Sequence, residues 1–376
     1  MEKPDLSKPG SHSSPYATLA AGARIPVTLL TGFLGSGKTT LLNDLLTRPA
    51  MAGTAVIVNE FGTIPVDHDL VQTGRETYLR TSTGCLCCTA TSDIRASLYE
   101  LDQAVAGGAV APIQRVVIET TGLADPAPIV NSLIAGGAPA LGLRDHVVAR
   151  RYRLAGVVTA FDALEGLSTL ERFMEGWKQL AFADHIVLTK TDLPHLARDW
   201  QAELQYLNPA ATLHDRHAPG FDLTALFGQG IYSPDGKAED VAGWLAMERL
   251  AAPHQHAHDP ARHGGIEAVS LTHDVPLDRR ALDVFLKVVT SNIDSGLLRM
   301  KGLFAVSDDP DRPIVAHAVQ HRLYPLSQLD RWPDETRQTR VVLIGQNMPV
   351  RQIRDLFAAL APRPRKGFGW GARRDA

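Results

Sequence analysis

Three clusters of residues in this 376-residue chain have the types and spacing to do chemistry. The first runs Gly32-Phe33-Leu34-Gly35-Ser36-Gly37-Lys38-Thr39-Thr40, a G-x-x-x-x-G-K-T pattern. Its glycines permit backbone angles and close approaches that a Cβ would forbid. Backbone N–H groups from Gly35 through Ser36 and Gly37 to Thr40 then turn inward and hold phosphate oxygens, helped by the start of a helix. Lys38 reaches the β- and γ-phosphates, and the Thr39 hydroxyl is a ligand for Mg²⁺.

The second cluster is Cys85-Leu86-Cys87-Cys88, which holds all three cysteines of the chain. An odd number packed this tightly is no framework for a secreted disulfide fold, and in a reducing compartment it points to metal or redox chemistry. Thiolates suit borderline-soft cations such as Zn²⁺ or Co²⁺ better than Mg²⁺. A loop that supplies two or three of them leaves at least one ligand to come from elsewhere, and such an open site exchanges metal readily. Glu60, at the end of a neighbouring strand, is the candidate fourth ligand. The third cluster alternates His254, His256 and His258 between Pro253 and Pro260, with His263 just beyond. It reads as an extended linker, either a plain polar connector or a weak imidazole cluster that gathers metal.

These residues need elements to position them. Apolar runs predict buried strands at 26–31, 55–58, 115–118, 154–160 and 185–188, with a short strand at 77–81. Helices are expected at 39–46, 92–105 and 127–135, and a Gly-rich irregular connection up to 153. The strand at 115–118 ends in Glu119 followed by Gly122, so the acid orients Mg²⁺ or its water and the Gly122 amide senses the γ-phosphate. Lys38, Thr39 and Glu119 form the catalytic group in this reading. Asp67, His68 and Asp69 sit in a segment that is either a solvated connection or a switch. The strand at 185–188 delivers Thr189-Lys190-Thr191-Asp192. A carboxylate at the position of Asp192 accepts from two donors that guanine has and adenine lacks. Thr189 stands where Asn is usual, which is expected to weaken one supporting hydrogen bond.

Strands alternating with helices over 26–207 predict an α/β fold, a mainly parallel sheet with helices on both faces. The regularity fades from 216 to 264, and a smaller α+β unit follows over 265–360. Residues 1–24 read as a disordered leader and 361–376 as a disordered basic tail. The formal net charge of −3 gives no reason to expect nucleic acid or an anionic membrane as a partner. No apolar run approaches the ~20 residues of a spanning helix, and a cytoplasmic protein is expected.

Taken together, the phosphate loop, Val58-Asn59-Glu60-Phe61-Gly62, Gly84-Cys85-Leu86-Cys87-Cys88-Thr89, Glu119-Thr120-Thr121-Gly122 and Thr189-Lys190-Thr191-Asp192 resemble the CobW-type metallochaperone GTPases. Leu298-Arg299-Met300-Lys301-Gly302 and Leu343-Ile344-Gly345 extend the resemblance into the second unit. The resemblance implies a P-loop GTPase domain and a CobW-like C-terminal domain. It further implies GTP and GDP as nucleotides with Mg²⁺, Zn²⁺ or Co²⁺ on the C-x-C-C residues, slow hydrolysis, and a client metalloprotein that receives the metal. Two rival readings are a small-molecule kinase on the same phosphate loop and a metal buffer stabilised by nucleotide. The kinase would lack Lys190 and Asp192.

Overall fold

The computed structural model describes residues 24–59, 77–80, 86–133, 142–193, 200–228, 265–291 and 296–360, with the backbone alone at 59, 77–80 and 86–93. Glu60, Asp67, His68, Asp69, Cys85 and the histidines at 254, 256, 258 and 263 lie outside the described residues, as do the leader and the tail.

The first unit is a sheet of seven parallel strands. In chain order these are β1 (Ile25–Thr31), β2 (Thr54–Asn59), β3 (Thr77–Arg80), β4 (Arg115–Thr120), β5 (Tyr152–Asp162), β6 (His185–Thr189) and β7 (Thr212–Asp215). Their order across the sheet is β3-β2-β4-β1-β5-β6-β7. The chain first winds from β1 toward one edge and returns beside it as β4, then winds from β5 toward the other edge. That reversal puts a crevice at the carboxyl end of β1, where open α/β sheets bind ligands.

Both faces are covered, so the strands are nearly continuous apolar runs. Val27 and Leu29 point into one core, while Leu30 points into the other. Helix α1 (Lys38–Leu46) buries Leu41, Leu42 and Leu45 against Leu30 and Val158 on that second face. The first face receives α2 (Leu86–Ala106), α3 (Pro126–Leu133), α4 (Leu143–Arg151), α6 (Met174–Phe182) and α7 (Trp200–Leu207), with the short α5 (Gly166–Leu170) beside α6. The short α8 (Ala225–Gly228) closes the second face.

Two expectations are corrected here. The stretch up to 153 holds a regular helix, α4, whose first turn carries Asp145 and whose last turn carries Arg150 and Arg151, charges that suit the helix dipole. Helix α2 also begins at Leu86 and not near 92, so Cys87 and Cys88 occupy its first turn instead of a loop.

The second unit is antiparallel: β8 (Ile266–His273), β9 (Leu297–Phe304), β10 (Ile314–Val319), β11 (Arg322–Leu323), β12 (Ser327–Gln328) and β13 (Thr339–Gln346). One face packs on α9 (Arg279–Ser291) and α10 (Val350–Ala358) through Met300, Phe304, Val341 and Leu343. The opposite face presents Leu303, Val315, Val342 and Ile344, and these join the apolar core of the first unit. Helices α3, α6 and α7 lie against β10, β9 and β8, respectively.

Charge is buried in that seam. Asp184, just after α6, pairs through Oδ1 with Arg299 Nη2 at 2.5 Å and Lys301 Nζ at 2.8 Å. Its Oδ2 accepts from the Val157 amide at 2.9 Å. Burial alone would raise the Asp184 pKa, but the two cations outweigh it and hold the carboxyl ionised. Burial lowers Lys301 to about 8 against the opposing pull of Asp184.

Candidate functional site

The phosphate loop leaves β1 and enters α1 at Gly37, whose φ of 87° is a left-handed angle that favours glycine. No side chain caps that helix start, so its first amides face the loop. Ser36 N is engaged in a turn with Phe33 O at 3.2 Å. Lys38 folds its ammonium back over the loop, donating to Gly32 O at 2.9 Å and Phe33 O at 3.0 Å. A cation resting on carbonyls of its own loop is placed to turn outward to phosphate oxygens.

Opposite, Thr39 Oγ1 donates to Glu119 Oε1 at 2.8 Å, joining the start of α1 to the end of β4 across 80 residues of sequence. Hydroxyl and carboxylate oxygens side by side are the hard donor set that Mg²⁺ takes, with water and phosphate completing the octahedron. The residues therefore fit a Mg²⁺–nucleoside phosphate. Thr120 and Thr31, one strand apart, share a hydroxyl bond of 2.9 Å behind them. Gly122 abuts the phosphate loop so closely that a Cβ there would stand 2.5 Å from Leu34 N.

The base-reading segment leaves β6 on the same side. Thr189 Oγ1 donates to Ser36 O at 2.8 Å and also lies 3.2 Å from Phe161 O. The threonine thus ties the base-reading segment directly to the phosphate loop. Lys190 takes a left-handed φ of 61° and pairs with Asp162 at the end of β5. Asp162 also accepts from the amides of Leu164 at 2.9 Å and Glu165 at 3.2 Å, which stiffens the turn beneath the lysine. The Asp192 carboxylate, about half exposed, pairs with His217 Nε2 at 3.1 Å.

The structure thus brings together Gly35, Ser36, Gly37, Lys38, Thr39, Thr40, Glu119 and Gly122 at one crevice, with Thr189 linking in the base-reading side. The thiolate set is a different case. Cys87 and Cys88 have described backbone only, and among the described residues no group of three or more His, Cys, Asp and Glu is arranged to hold a metal. Backbone register still bears on that set. In β2, Val58 lies opposite Arg80 of β3 on one side and Glu119 of β4 on the other. The chain ends that lead to Glu60 and Cys85 therefore leave the sheet on the same edge as Glu119.

Sequence reasoning missed Asp162 and His217. Asp162 carried the same signal as Glu119, an acid at the end of a buried strand. His217 had no local signal at all.

Residues 26–215 match the CobW/HypB/UreG nucleotide-binding domain, and residues 266–361 match the cobalamin synthesis protein CobW C-terminal domain. The zinc chaperone YjiA of Escherichia coli is 32% identical over 338 residues, covering 89% of this chain and 98% of that protein. The structure of the Zn(II)-bound YjiA GTPase superposes with a TM-score of 0.66 at 28% identity, over 90% of this chain and 100% of the other. The zinc-regulated GTPase metalloprotein activator 1 of Schizosaccharomyces pombe is 33% identical over 176 residues, covering 45% of this chain and 39% of that protein.

Proposed function

From the premise that this chain belongs to the CobW/HypB/UreG family, we propose that it is a GTPase that carries a transition metal, Zn²⁺ foremost with Co²⁺ as the alternative, to a client metalloprotein. The observation that carries the nucleotide half is the Thr39–Glu119 bond of 2.8 Å beside a lysine folded on its own loop. Lys38 and the first amides of α1 receive the phosphates, Thr39 and Glu119 hold Mg²⁺, and the metal ion supplies charge neutralisation. Asp192, backed by Lys190, selects guanine.

The metal is cargo. Cys85, Cys87 and Cys88 with Glu60 are its proposed ligands, and the histidines at 254, 256, 258 and 263 a weaker collecting set. Thiolates remain available for such work in a reducing cytoplasm, where we place the protein. The common carboxyl end of β2, β3 and β4 supports a coupling, because it sets the strand ends that lead to Glu60 and Cys85 beside the end of the Glu119 strand. Metal affinity then differs between the GTP and GDP states, and hydrolysis converts loading into release.

A reciprocal titration tests this. Zn²⁺ affinity is measured with GTP and with GDP saturating, and each nucleotide's affinity with and without Zn²⁺. The expected coupling is about 1–3 kcal/mol, a 5–150-fold change that is equal in both directions. Two independent affinities would end the chaperone reading, and absence of GTP turnover would end the enzymatic one.

A further inference from the structure

Helix α6 faces the crevice with one side chain that the nucleotide reading does not use. Gln179 is 1% exposed, and its Nε2 donates to two backbone carbonyls of the loop after β4, Gly122 O at 3.0 Å and Ala124 O at 3.1 Å. Its neighbour Lys178 pairs with Asp125 Oδ2 at 2.9 Å, while Asp125 Oδ1 accepts from the Ala127 amide at the start of α3. Two consecutive residues of α6 therefore hold three oxygens of one short loop.

We propose that Gln179 is a positioning residue that sets the Gly122–Asp125 loop for the γ-phosphate, so that it favours GTP over GDP. The proposal rests on that loop being the part of the site that meets the third phosphate. Peptide units are planar and trans, so fixing a carbonyl fixes the N–H of the next residue on the opposite side. The two bonds from Gln179 thereby aim the amides of Leu123 and Asp125 away from α6. The loop has no slack on its other side, where Gly122 lies against Leu34 of the phosphate loop. Any shift of its backbone is passed to the residues around the phosphates.

The anchor itself is rigid. Gln179 O accepts from Thr159 Oγ1 of β5 at 3.0 Å, and Trp177 Nε1 donates to Leu170 O at 2.7 Å. At the far end of α6, Asn208 Nδ2 donates to Leu180 O at 2.8 Å and Ala183 O at 2.9 Å. Gln179 Oε1 has no hydrogen-bond partner among the described residues, and Gln179 lines a cavity of about 40 Å³. Ser36 of the phosphate loop lines the same cavity, and its Oγ likewise has no hydrogen-bond partner among the described residues. The side chain thus stands between the strand-end loop and the phosphate loop, and its donor half is committed to the former.

The test uses the full chain carrying Gln179→Met, which keeps the length and removes the donor. Affinities for GTP and GDP are measured by displacement of a fluorescent guanine nucleotide, and kcat and KM by phosphate release. GTP affinity is expected to fall about tenfold, the scale of two lost hydrogen bonds, with kcat falling and GDP affinity within twofold of wild type. Lys178→Met, at a side chain one-third exposed, should move GTP affinity the same way by a few-fold. It decides the matter if the glutamine variant does not fold. Equal loss of GTP and GDP affinity, or unchanged GTP affinity, overturns the proposal. A wild type that bound no GTP would overturn the nucleotide reading instead, which separates the two failures.

Discussion

Two polar regions of this molecule handle charge in opposite ways. At the crevice, Lys38 rests on carbonyls of its own loop and Asp192 on His217, the latter pair with side chains 54% and 40% exposed. In the seam, Asp184 meets Arg299 and Lys301 with none of the three more than 3% exposed. The crevice partners are exchangeable for a ligand, while the seam partners are exchangeable for nothing, because no water reaches them. Charged groups that serve a ligand hold provisional bonds, and charged groups that fix one unit against another hold permanent ones.

The largest expected effect breaks the seam. Asp184→Ala removes the carboxylate shared by two buried cations and should cost about 3–5 kcal/mol in denaturant unfolding. A loss below about 1 kcal/mol would mean that water enters the seam and that the contrast is false. Next in size is Lys38→Ala, which should lower GTP affinity on the order of 100-fold, about 2.8 kcal/mol, and leave the unfolding midpoint in place. Equal damage to stability would make the crevice lysine structural too.

Acid sharpens the comparison at intermediate size. Burial lowers His185 to about 4, with Asp184 opposing, and lowers His317 to about 3, with Lys301 and Arg299 adding. Burial also lowers His214, whose Nε2 lies 3.0 Å from His185 Nδ1. Each is neutral when folded and takes a proton near 6.5 when unfolded. The unfolded chain therefore binds more protons between pH 6.5 and these lowered values, and stability falls as pH drops through that window. By pH 5 the loss is about 2 kcal/mol for each of His185 and His317, read as a falling melting temperature. Asp184 adds the same sign below the ordinary carboxylate range. Acid-independent stability down to pH 5 would contradict the buried seam. The smallest effect returns to the crevice. His217→Ala frees Asp192 for the base and should raise GTP affinity two- to threefold, with stability unchanged within about 0.5 kcal/mol.

The crevice was legible because its chemistry is local. Gly32 to Thr40 lie together in sequence, and Glu119 announces itself at the end of a buried strand. Helix α6 was not legible, since six of its nine residues are buried and Phe173 at its start offers no side-chain cap. The seam was hidden for another reason. Arg299 and Lys301 alternate along β9 as they would on a solvent-facing strand, yet all eight residues of that strand are buried. The partner that makes their burial tolerable lies 115 residues away. The bond from Thr189 to Ser36 O was not legible either, because that acceptor is brought to it by the sheet and not by the chain. The metal-ligand set rests on sequence pattern alone, as most of it falls outside the described residues.

The seam also sets a timetable. Synthesis at roughly 5–20 residues per second leaves Asp184 about 6–23 s without Arg299, and the apolar face beside it uncovered for longer. During that interval the first sheet can form, since its last strand ends at Asp215. It would do so with an open flank and a carboxylate that must remain hydrated. A ribosome halted after residue 228 would therefore release an adhesive fragment, not a smaller working GTPase. Fusions, truncations and early stop mutations in this chain should be judged by whether β9 and β13 ever arrive.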